Sequence, residues 1–192
     1  MAKSRRALYP QFVATESDAM SDVISLRFES KLHAPSERIW EWITSVKGIR
    51  AEMWPFFLMT VPKGVQSLND VQVTPGMPMF RSYVFLFGFL PIDYSDMTLL
   101  ELKQGQGFVE QSPMGSMKLW RHERSIVPCP IDLNAVWLVD QLTFRPRMAS
   151  CMVGWFIRRV FIHRHEVIRA NLGGTQPSTP ADSFASASLR KN

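Results

Sequence analysis

The stretch that most restricts how this chain can fold lies near its C-terminal end. Two alternating segments, Trp120–Val127 and Ala135–Arg145, lead into a long amphipathic segment from about Ser150 to Leu172. Both strands carry polar or charged residues on the face that otherwise reads as core: His122 and Arg124 on the first, Asp140 on the second. The helix places Arg164 in its apolar stripe. Buried charge is costly unless it is paired and hydrogen-bonded. These residues are therefore either an internal fastening or the wall of a ligand site.

Phase and register sharpen the expectation. With Pro128–Asn134 as the connection, residues whose numbers sum to about 262 face each other in an antiparallel pair. His122 then opposes Asp140, Trp120 opposes Leu142, and Arg124 opposes Leu138. One face carries Trp120, His122, Arg124 and Ile126 beside Leu138, Asp140, Leu142 and Phe144, while Arg121, Glu123 and Ser125 face solvent. At about 100° per residue, Val153, Phe156, Val160, Arg164, Val167 and Asn171 form one helical stripe flanked by Ile157 and Ile168. Arg158, His165 and Arg169 point away. Asp140 is the expected anionic partner of Arg164, with Glu110 second.

Upstream, Ile24, Leu26, Phe28 and Leu32 alternate with Arg27, Glu29 and Lys31, the period of a half-buried strand. Ala34-Pro35-Ser36-Glu37 opens a helix with Pro35 suited to the first position. Its stripe is Ile39, Trp42, Ile43 and Val46, and Gly48 is expected to end it. A second short helix or turn follows around Ile49–Met53. From Trp54 the signals are for strands: 54–61, Phe80–Gly88, Tyr94–Leu102 and Gly107–Gln111. The expected fold class is α+β: a curved antiparallel sheet of about seven strands, with two short helices after the first strand and one long C-terminal helix. Only that helix is available to cover so large a sheet, and the space between them would hold a ligand.

Residues 1–21 are polar and aperiodic, and 173–192, GGTQPSTPADSFASASLRKN, have the composition of a disordered tail. The expected domain is 22–172. A hydrophobic share of 46% and a charged share of 20% are ordinary for a globular protein. The 13 Phe, six Trp and 11 Met suit an aromatic core and an adaptable apolar cavity. Cys129 and Cys151 have neither metal-ligand nor CxxC spacing, which favours a reducing compartment. There is no apolar h-region near the start, and the longest apolar run, Tyr83–Ile92, is too short to span a bilayer. A cytoplasmic location is expected. The net charge of +5 comes largely from Lys3, Arg5, Arg6, Arg190 and Lys191. No nucleic-acid motif accompanies these residues, so nucleic acid is not the expected partner, although peripheral membrane contact is compatible with them.

Several stretches taken together resemble the START/Bet v 1-like superfamily, also called SRPBCC or helix-grip proteins. They are SLRFESKLHAPSERIWEWI, FRSYVFLFGFLPID, KLWRHERSI, VWLVDQLTF and FIRRVFIHRHEVI, in that order, over roughly residues 22–172. The resemblance is strongest to an uncharacterised bacterial branch with a Trp-x-His strand, an Asp-bearing last strand and an Arg-His pair in the last helix. It implies a small hydrophobic or amphipathic ligand, lipid- or polyketide-like, held between sheet and helix. The expected apolar wall is Phe85, Phe87, Leu138, Leu142, Phe156 and Val160, with Trp120 beside it; the polar anchor is His122, Asp140 and Arg164. Tyr83 and Tyr94 are weaker candidates for donors, and Met77, Met79, Met114 and Met117 for an apolar mouth. No cofactor is expected. His33, His163 and His165 have no partners at metal-ligand spacing, so no metal site is assigned. Two other functions stand beside binding: a cyclase- or aromatase-like enzyme with His122 and Asp140 as an acid–base pair, or a non-catalytic adaptor using the basic helix face at a membrane or nucleic acid.

Overall fold

The computed structural model describes residues 22–175. In chain order the elements are β1 (Ile24–Leu32), α1 (Ser36–Thr44), α2 (Val46–Met53), β2 (Phe57–Met59), β3 (Pro78–Leu86), β4 (Leu90–Lys103), β5 (Gly107–Glu110), β6 (Met117–Pro128), β7 (Val136–Pro146), α3 (Ser150–Leu172) and β8 (Gly174–Thr175). The strands form one antiparallel sheet in the order β2-β3-β4-β5-β6-β7-β1-β8. Breaks in register at Pro78/Phe80, Val84/Phe85, Leu99/Glu101 and Met117/Leu119 bend the strands, as bulges do. The sheet curls around α3, the expected helix-grip arrangement. The segments 1–21 and 176–192 lie outside the described residues, so the expectations for both ends are not addressed there. Within the expected tail, Gly174–Thr175 pair with Leu32 and Lys31 of β1.

The hairpin of β6 and β7 is in a different register from the expected one. Arg124 opposes Asp140, His122 opposes Leu142, Trp120 opposes Phe144 and Ile126 opposes Leu138. The connection is centred on Asp132, one residue later than the sequence suggested. Its carbonyl accepts from Ala135 N at 3.0 Å, and its carboxylate takes Lys31 Nζ at 2.7 Å. Moving the centre by one residue slides the pairing by two. Side chains alternate with a period of two, so every residue keeps its face and only the partners change.

The two short helices also divide differently. Ser45 adopts an extended ψ of 142°, ends α1 and caps α2, its hydroxyl accepting from Gly48 N at 2.9 Å. Gly48 therefore lies inside α2 rather than at a helix end. A Cβ there would stand 2.1 Å from the Trp42 carbonyl oxygen, a close approach that only glycine permits. On α3 the buried residues are Ile157, Val160, Phe161, Arg164, His165, Ile168 and Leu172. The buried stripe is rotated toward Phe161 and Leu172: Asn171 is exposed, and His165 is only 2% exposed instead of pointing away. Two large apolar side chains and two hydrogen-bond partners for His165 set this phase.

Two apolar clusters make the core. One gathers Leu32, Ile39, Ile43, Leu99, Phe108, Ile126, Leu138 and Ile168; the other gathers Phe57, Leu142, Phe144, Ile157, Val160 and Phe161. Along β1, β6, β7 and α3 the change from one cluster to the other falls at a polar residue. Ser30 lies between Phe28 and Leu32, Asp140 between Leu138 and Leu142, and His122 and Arg124 between Trp120 and Ile126; Arg164 and His165 lie between Phe161 and Ile168. A belt of polar side chains crosses the interior at one level.

Candidate functional site

The centre of the belt is Asp140, wholly buried on β7. Arg124 donates to it twice, Nε to Oδ1 at 2.6 Å and Nη2 to Oδ2 at 2.7 Å. His122 Nε2 donates to Oδ1 at 2.9 Å, and His165 Nε2 to Oδ2 at 3.0 Å. Four donors fill the acceptor sites of a carboxylate. Burial opposes ionisation of Asp140, but the guanidinium of Arg124 and the His122 ring outweigh it and hold the carboxyl well below its usual range. Both histidines must accordingly carry a proton on Nε2. Behind His165, Ser30 Oγ lies 2.8 Å from Nδ1 and accepts from Arg169 Nη1 at 3.0 Å.

The second anion is Glu52, in the last turn of α2 and also wholly buried. Its Oε1 accepts from Trp42 Nε1 at 3.0 Å. Its Oε2 accepts from Arg124 Nη1 at 3.0 Å and from Arg164 Nε and Nη2 at 3.1 and 2.8 Å. The expected pairing of Arg164 with Asp140 or Glu110 is thus replaced by pairing with Glu52. Arg124, bridging Asp140 and Glu52, is raised above its ordinary value, the two carboxylates outweighing its burial. Arg164 moves the other way, lowered by its own burial and by the charge of Arg124. Two guanidiniums and two carboxylates balance, and the network joins both short helices to the sheet and α3.

Beside this belt lies a cavity of about 450 Å³, walled by the sheet on one side and by α2 and α3 on the other. Its size is ordinary for a small-molecule site (~300–1,000 Å³). Phe57, Val84, Met97, Leu99, Phe108 and Phe156 are among the apolar side chains facing it. Ile92 and Met152, both lining and both exposed, mark the mouth at the N-terminal end of α3. Leu99 on the same strand as Ile92, together with Ile43 and Phe108, marks the closed end. Seven residues of strand separate the two, a depth of about 20 Å. Phe87, Phe89, Leu90 and Trp155 are exposed near the mouth end of the sheet and helix.

Few polar groups face the cavity. Asp93 and Ser116, near the mouth, are bonded to each other. Deeper in, His122 presents its second nitrogen, Nδ1, with Glu110 Oε2 3.8 Å away, beyond hydrogen-bonding distance. The other oxygen of Glu110 accepts from Ser112 Oγ at 2.7 Å. Arg164 reaches the wall, and the buried hydroxyl of Ser95 has no hydrogen-bond partner. The His122 ring is held edge-on between Phe108 and Phe161, at centroid distances of 5.5 and 5.3 Å. Among the described residues no group of three or more His, Cys, Asp or Glu side chains is placed to hold a metal ion.

Of the residues expected at the site, Trp120, His122, Phe156 and Arg164 line the cavity. Asp140, Leu138, Leu142 and Val160 are buried behind its wall, Asp140 in the belt and the others in the apolar clusters. Phe85 and Phe87 do not line it. On β3 it is Ser82 and Val84 that point inward; the register breaks after Val84, and Phe87, at φ 52°, is in the turn and half exposed. Apolar residues on both faces of β3 concealed which face was inner. Met114 and Met117 line the cavity, whereas Met77, Met79, Tyr83 and Tyr94 do not. Glu52 and the role of Arg124 went unread. A signal existed: two arginines on core faces require two carboxylates, and Asp140 supplies one.

A family model described as a domain of unknown function, DUF8410, matches residues 30–172. No curated protein matches the chain. Among solved structures, the Zhui aromatase/cyclase from a Streptomyces species aligns with a TM-score of 0.55 at 12% identity, over 79% of this chain and 94% of that one. A START superfamily protein from Mycobacterium smegmatis aligns with a TM-score of 0.51 at 10% identity, over 79% and 97%. Ara h 8.0201 aligns with a TM-score of 0.52 at 9% identity, over 78% and 97%. At such identities the likeness is one of fold, the α+β helix-grip arrangement. No helix among the described residues is long and apolar enough to cross a membrane.

Proposed function

The chain belongs to the DUF8410 family, and we propose that it binds a small hydrophobic or amphipathic ligand, lipid- or polyketide-like, in the cavity between its sheet and its C-terminal helix. The supporting observation is the cavity itself: about 450 Å³, apolar along its length, open beside Met152 and Ile92, with His122, Glu110 and Arg164 exposed to it. Cores pack to crystal density, and a void of this size costs stability unless something fills it. Phe108, Phe156 and Val84 would hold the apolar body, and His122 the polar end.

Native mass spectrometry of protein purified from its own host tests this directly; a retained apolar molecule is the expected result. A second test uses Nile red, a neutral dye that brightens in apolar sites. Met97→Trp should fill the cavity and abolish dye binding while the protein remains folded. Unchanged dye binding in that variant would sink the reading.

One observation also favours chemistry at the same place. His122 is oriented by an ionised Asp140 through Nε2 and turns Nδ1 into the cavity, the arrangement of a positioned proton acceptor. In that reading His122 would take a proton from an enolisable carbon of the ligand. His122→Asn would then stop turnover of a candidate polyketide-like substrate while binding persists; loss of binding alone would leave the protein a carrier.

A further inference from the structure

We infer that the cavity selects ligands whose polar end donates hydrogen bonds, a hydroxyl or an amine, and rejects carboxylates. This rests on the cavity being the ligand site. His122 Nε2 gives its proton to Asp140, so in the neutral ring Nδ1 is an acceptor. Facing it is another acceptor, Glu110 Oε2, at 3.8 Å. Two acceptors side by side, neither of them in a hydrogen bond, are completed by an O–H or N–H from outside. Ser112 already occupies the other oxygen of Glu110 and fixes the direction of the carboxylate.

Charge points the same way. Arg124 and Arg164 are matched by Asp140 and Glu52, and all four are sequestered or nearly so. Glu110 lies outside that balance. A ligand carboxylate would bring one more negative charge against Glu110, and the guanidinium on the cavity wall, Arg164, already has its charge matched by Glu52, in surroundings where charge repulsion is poorly screened. Ser95, also among the lining residues, keeps its hydroxyl buried and without a hydrogen-bond partner, so it offers a ligand carboxylate no exposed donor. The polar pair near the mouth, Asp93 and Ser116, satisfies itself and makes no comparable demand.

The experiment displaces Nile red from the full chain at neutral pH with 1-dodecanol, dodecylamine and dodecanoate, which share one chain length. Dodecanol and dodecylamine are expected to compete at concentrations about tenfold or more below dodecanoate. Glu110→Gln, which removes the charge but keeps the shape, should bring dodecanoate to within about threefold of dodecanol. Dodecanoate binding as tightly as the alcohol overturns the inference while leaving the cavity as a ligand site. An unchanged ranking in Glu110→Gln also overturns it. Should that variant not fold, the ranking in the unmodified protein decides alone. Failure of the dye and all three competitors to bind overturns the ligand reading and this inference with it.

Discussion

Asp140 and His122 touch each other at 2.9 Å, yet they belong to two regions of different character. Asp140, with Glu52 and Arg124, forms a sealed belt in which each carboxylate takes four donors and no oxygen faces open space. His122, with Glu110, faces the cavity with hydrogen-bonding capacity to spare. Charge alone does not distinguish them, since both regions hold ionisable groups inside the protein. Completion does. A filled hydrogen-bond set fastens elements together, and an unfilled one waits for a partner.

The sharpest way to break this contrast is to open the belt. Arg124→Met leaves Asp140 and Glu52 buried without their shared cation and should cost about 3–5 kcal/mol in urea unfolding. A loss below about 1 kcal/mol would mean that the belt holds nothing together. Acid offers a second route. The folded Asp140 carboxyl titrates below its unfolded value, so its contribution is fully present above about pH 4 and is lost as pH falls through the depressed folded value. Unfolding midpoints followed from pH 5 to pH 2 should fall less steeply for Asp140→Asn than for the unmodified protein. Equal slopes would place the acid sensitivity elsewhere.

On the cavity side the effects should be smaller and fall on binding instead. His122→Ala removes one hydrogen bond at the wall and one of four to Asp140. Nile red and ligand affinity should weaken by up to about tenfold, with the fold retained by circular dichroism. Complete unfolding would mean that His122 serves the belt before it serves the cavity. At the foot of the scale, Phe87→Ser changes an exposed turn residue outside the cavity, and affinity should stay within about twofold. A large loss there would extend the site onto the β3–β4 turn.

The fold was legible because its signals are periodic and local: alternation in β1 and the β6–β7 hairpin, a helical stripe from Ser150 to Leu172. The face shared by His122, Arg124 and Asp140 was legible for the same reason, and it survived a register error because the error was even. The partners were not legible. Glu52 is on an eight-residue helix whose placement depends on a bend at Ser45, and nothing local ties it to Arg164, 112 residues away. β3 carries apolar residues on both faces, so alternation could not choose between Val84 and Phe85. His165 needed the actual rotation of α3, which a stripe of mixed residues leaves open by about one position.

The span of the belt has a consequence for how the protein is made. Glu52 leaves the ribosome long before its cations, with Arg124 following 72 residues later and Arg164 112 residues later. At ~5–20 residues per second, the wait for Arg164 is roughly 6–20 s. For the first 72 residues of that interval Glu52 has neither of its cations, and it gains the second only with α3. The complete ion-paired surroundings of Glu52 therefore exist only once translation has passed α3.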